Sequence, residues 1–108
     1  MTEFIQLATT VNDEKKANEI ASVLMERRVV ACVQILGPIK SSCWWKGKII
    51  QTNEWMCLAK ARMEDYEKIE DAIKSVHPYV LPEILAFPIF GEPKYLSWIH
   101  EETSRSMT

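Results

Sequence analysis

The decapeptide SSCWWKGKII, Ser41 to Ile50, sets two tryptophans side by side and follows them with a glycine between two lysines. It reads as a strand, in which adjacent side chains point to opposite faces, so Trp44 and Trp45 cannot both lie over one small core. The run from Trp55 to Arg62 is strand-like as well, and between the two QTNE, Gln51 to Glu54, offers a polar Thr52-Asn53 centre suited to a two-residue hairpin turn. On that reading Ile50 faces Trp55 and Trp45 faces Lys60. One face of the hairpin then carries Trp45, Ile49, Met56, Leu58 and Lys60, the other Trp44, Ile50, Trp55, Cys57, Ala59 and Ala61, and Gly47 marks a bulge. A tight turn at Lys46-Gly47-Lys48 is the alternative. Both faces are substantially apolar.

The elements to either side follow from periodicity. Phe4 to Thr10 is a short apolar, β-branched strand. From an N-cap at Asn12 or Asp13, the residues Ala17, Ile20, Ala21, Leu24 and Met25 recur at the spacing of one helical stripe, and Arg27 and Arg28 suit the negative end of that helix. Val29 to Leu36 is an almost continuously apolar strand that Gly37-Pro38 interrupts. A second helix from about Glu64 turns Tyr66, Ile69, Ala72, Ile73 and Val76 inward and stops before Pro78. Glu83 to Ile89 forms a short strand whose Pro88 belongs at a sheet edge or a bulge. Pro93 opens a last helix with Tyr95, Leu96 and Ile99 inward and Trp98 a candidate for the same side.

The order is βαββαβ plus a terminal helix, over residues 1–108 as one domain. This is an α+β, ferredoxin-like sandwich with an extended central hairpin and a C-terminal helix. Helices can cover only one face of its sheet. The apolar residues on the other face need a cover that the chain does not supply, and the usual cover is another copy of the chain.

Composition narrows the function classes. The chain has 108 residues, 47% hydrophobic and 26% charged, with a formal net charge of −2 spread over both halves, which argues against disorder and against a nucleic-acid footprint. No apolar run reaches the length of a membrane span, and Glu3 stands where a signal peptide would carry basic residues, so a cytoplasmic protein is expected. Cys32, Cys43 and Cys57 are odd in number and lack CxxC spacing, which implies free thiols, mostly buried in strands. Phosphate-loop, HExxH and G-x-S-x-G signatures are missing, and no enzyme is expected.

The segments ACV (Ala31 to Val33), WWKGKI (Trp44 to Ile49), HPY (His77 to Tyr79), PEILAFPI (Pro82 to Ile89) and YLSWI (Tyr95 to Ile99), in this order, resemble the CutA family of divalent-cation tolerance proteins. The resemblance implies a homotrimer built by hairpins pairing with neighbouring subunits, similar in outline to PII-type signalling proteins, and a link to tolerance of copper and other divalent metals. It also implies a copper site made by a cysteine at the end of the first strand and a His-His pair before the PY. Here those positions hold Thr9 and Val76-His77, leaving His77 as the metal ligand and weak binding of copper or another divalent cation as the expectation.

Inter-subunit clefts lined by Cys32, Trp45, Lys60, His77, Tyr79 and Glu83 are the expected place for a metal or small molecule. Two other functions stand beside this one: a PII-like sensor of a small anionic metabolite, motivated by Lys60, and a structural trimeric scaffold for partner proteins. Each residue also has a plainer role. His77 can neutralise a helix C-terminus, Glu83 can pair with Lys60 across a subunit boundary, Tyr79 and Trp98 can simply pack, and Cys32 in an apolar strand can be inert.

Overall fold

A computed structural model describes residues 3–105. Strand β1 (Phe4–Val11) leads to helix α1 (Glu14–Glu26), then to the long strands β2 (Cys32–Trp45) and β3 (Lys48–Arg62). A 3₁₀ turn (Met63–Asp65) opens into α2 (Tyr66–Val76), and β4 (Leu85–Pro88) and α3 (Pro93–Ser104) complete the chain. The sheet order is β2-β3-β1-β4 with every neighbouring pair antiparallel, the α+β arrangement expected from the element order. β4 is an edge strand ending on Pro88, where a missing N–H does no harm.

Alternation decides which side of the sheet is covered. Ile5, Leu7 and Val11 of β1 and Cys57, Ala59 and Ala61 of β3 are buried against Ala17, Ile20 and Leu24 of α1 and Ile69, Ala72 and Ile73 of α2. Each large aliphatic side chain so buried stabilises the fold by about 1.5–3 kcal/mol. The Asp13 carboxylate caps α1 by accepting the Lys15 N–H at 2.8 Å. Pro93 is the first residue of α3, behind a Glu92 cap that accepts from the Tyr95 N–H.

The hairpin register corrects the reading at Thr52-Asn53. The turn lies at Lys46-Gly47, both with positive φ (53° and 80°), so Trp45 pairs with Lys48, Trp44 with Ile49 and Cys43 with Ile50, while Trp55 pairs with Val11 of β1. Two successive positive-φ residues make the tight turn whose twist matches that of paired strands. Ser41 to Ile50 is therefore the tip of the hairpin. Lys60, by contrast, stands opposite Cys32 at its root. Lys48 and Lys60 bound an extended run of about 40 Å.

Three smaller differences are local. The second strand starts at Cys32 and continues through the cis Gly37-Pro38 bond with an irregularity between Leu36 and Ile39, instead of ending at Leu36. A side chain at Gly37 would stand 2.5 Å from the Trp55 ring, so only glycine fits there. Of the three free cysteines Cys57 alone is buried; Cys43 is exposed at the tip. On α3 only Ile99 and Thr103 are buried, and Tyr95 and Trp98 lie against each other on the outside, ring centroids 5.5 Å apart.

Candidate functional site

The segment from His77 to Ile84, after α2, crosses toward the sheet and makes one wall of a cleft of about 410 Å³. The other wall is the hairpin: Trp44 and Trp45 from β2, Ile50 and Glu54 from β3, with Thr10 of β1 beneath. The Pro-bounded stretch cannot continue the helix, which is why it is free to make that crossing.

Glu54 sits at the bottom of this cleft. It is only 6% exposed, and its carboxylate accepts a 2.7 Å hydrogen bond from the Tyr79 hydroxyl. Burial, and then the bond and charge of Glu54, push the Tyr79 phenol well above its usual range, so it remains a donor. Behind Tyr79, the His77 ring packs edge-on against it, centroids 4.8 Å apart. The backbone N–H of Tyr79 can only donate, so His77 Nδ1 is its acceptor at 3.2 Å and the Nε2 proton goes to the Thr10 carbonyl at 2.9 Å. Burial holds the imidazole below its ordinary pKa, against the opposing pull of the Thr10 carbonyl and the Glu54 charge.

Trp45, Tyr79 and Glu83 thus meet in one cleft, and His77 touches two of its residues from behind. Cys32 and Lys60 are elsewhere. Within the chain Lys60 Nζ donates to Gln34 at 3.3 Å, and Cys32 Sγ lies 3.9 Å from the Tyr95 hydroxyl. Glu83 is exposed and precedes β4 rather than opening a buried strand. Glu54 and Trp44 are the residues sequence reasoning missed. With the turn placed at Lys46-Gly47, strand alternation and the apolar neighbours of Glu54 would have drawn attention to it.

Among the described residues the cleft carries two carboxylates, Glu54 and Glu83, and no lysine or arginine, with aromatic faces on both walls. Such a lining favours a cation over an anion. The described residues do not group a copper-ligand set within one chain. Thr9 presents a buried hydroxyl with no partner among the described residues, both His77 nitrogens are engaged, and no three His, Cys, Asp or Glu side chains of the described residues are grouped for a metal.

A family model described as CutA1 divalent ion tolerance protein matches residues 5–102. The chain belongs to the CutA1 family. It is 38% identical over 95 residues to the divalent-cation tolerance protein CutA of Thermus thermophilus, covering 87% of this chain and 92% of that one. To the CutA of Archaeoglobus fulgidus it is 39% identical over 102 residues, 94% and 97% of the two chains. The mouse protein CutA is 38% identical over 87% of this chain, which spans about half the length of that relative, 54%. Among solved structures, the Thermus thermophilus CutA1 superposes with a TM-score of 0.90 at 35% identity, covering 94% of this chain and 99% of that one. The Archaeoglobus fulgidus structure, described as a periplasmic divalent cation tolerance protein, gives 0.90 at 36% identity over 94% and 99%. Membership in CutA1 agrees with the fold and with the extended hairpin.

Proposed function

We propose that this CutA-family chain is a non-enzymatic, homotrimeric divalent-metal tolerance protein that takes cations weakly in the cleft between its hairpin and the His77–Ile84 segment. The observation that carries the reading is the buried carboxylate of Glu54 at the foot of a cleft with no basic residue in its lining. Oxygen donors from Glu54 and Glu83 supply the charge, and His77 can add an imidazole only by releasing the Tyr79 N–H, which keeps affinity low. Three unpaired thiols support a reducing compartment, and the cytoplasm is the proposed location.

Titration calorimetry with Cu(II) tests this reading. Weak, saturable binding is expected, reduced about tenfold (~1.4 kcal/mol) by Glu54→Gln, which keeps an acceptor for Tyr79, and reduced also by His77→Ala. Tight binding that neither substitution changes would place the metal elsewhere.

A further inference from the structure

A second cavity, of about 440 Å³, opens where the end of α1, the end of β3, the start of α2 and the end of α3 converge. Its lining carries Arg27, Arg28, Arg62, Lys68 and Arg105 against Asp65 and Asp71. We propose that this cavity, independent of the cleft, binds a small polyvalent oxyanion: a phosphate or pyrophosphate group, free or carried on a metabolite.

Donor supply exceeds acceptor supply there. Each guanidinium offers five N–H groups, and the acids present are shared. The same Glu102 oxygen takes Arg28 Nη2 at 2.7 Å and Arg105 Nε at 3.1 Å, while Asp65 meets Arg62 at 3.1 Å and Lys68 at 3.9 Å. Arg62 also reaches the exposed Glu64 at 3.4 Å and the Thr103 carbonyl at 2.9 Å. Counting Glu64 and Glu102 with the lining acids, the cations still outnumber the carboxylates in a chain whose net charge is −2.

The surplus is specific. Nε of Arg28, Nε of Arg62 and Oδ2 of Asp65 are buried without a hydrogen bond among the described residues, two donors against one acceptor, and Arg27 is in no ion pair among them. An orphaned buried donor is costly, and a ligand with several acceptor oxygens would offset the surplus of positive charge through the side chains that line the cavity. Arg28 adds an independent sign. It follows the end of α1 with φ of 58°, the left-handed conformation in which glycine is usual and a side chain is disfavoured. Strain kept at such a position fits a side chain with work to do in the cavity.

Calorimetry at constant ionic strength with inorganic pyrophosphate, orthophosphate and glycerol phosphate, together with amide chemical-shift mapping, tests the assignment. Saturable pyrophosphate binding is expected, with shifts at Arg27, Arg28 and Arg105. Arg27→Ala combined with Lys68→Ala, both at exposed positions, should weaken it at least tenfold, and Asp71→Asn should tighten it several-fold. Glycerol phosphate binding more tightly than orthophosphate would identify an esterified group, and the reverse a free ion. No saturable binding, shifts confined to the Glu54 cleft, or affinities unmoved by both variants would overturn the proposal.

Discussion

At Thr9 and His77 the physical chemistry of single side chains runs against a built-in soft-metal centre. The Thr9 hydroxyl is buried and unpartnered among the described residues, a cost that an alkyl group of the same shape would not carry. Thr9→Val should therefore raise stability by about 1 kcal/mol in denaturant titrations, and a loss of that size would reveal a hidden partner. His77 has a folded pKa below its usual 6.5, chiefly because burial disfavours the cation. Its contribution to stability is thus whole above pH 6.5 and is lost as pH falls through the lowered folded value, because protonation then favours the unfolded chain. Thermal melts between about pH 7 and pH 5 should show that loss, and His77→Gln should flatten it. An unchanged slope in the variant would assign the pH dependence to other groups.

At the scale of elements, the hairpin turn is the point on which the site depends. Gly47, with φ of 80°, is open to solvent, so Gly47→Ala adds no clash but places a side chain in the left-handed region. A loss of about 1 kcal/mol is expected from chemical unfolding, and no loss would put the turn elsewhere. Both sandwich helices were legible because Ala17, Ile20, Leu24 and Ile69, Ala72, Ile73 repeat at helical spacing and one physical demand, burial of a stripe, explains them. The turn was not. Lys46 at positive φ lacks the Asn or Asp signature of such turns, and the polar Thr52-Asn53 pair, which lies inside β3, mimics one. Moving the turn changes which residues of one chain meet. Trp45 and Lys60 separated to opposite ends of the ladder, and Glu54, disguised as a turn residue, became the buried floor of the cleft. Trp45, Tyr79 and Glu83 each lie on a wall of that cleft.

At the scale of the whole molecule, the hairpin tip and the β4 edge remain without a cover. Trp44 is 73% exposed, Ile49 61% and Phe90 98%, and Trp45, Ile50, Leu85 and Phe87 are exposed beside them. Apolar surface of this extent on two sides of one sheet is better explained by association than by solvent. Burial of a single indole or isoleucine there would stabilise the proposed assembly by about 1.5–3 kcal/mol. The proposed homotrimer would cover this surface by laying the tip of one chain against its neighbours. Sedimentation equilibrium at micromolar concentration tests it most directly: the account predicts a single species of three times the chain mass, and a compact, stable monomer would contradict it.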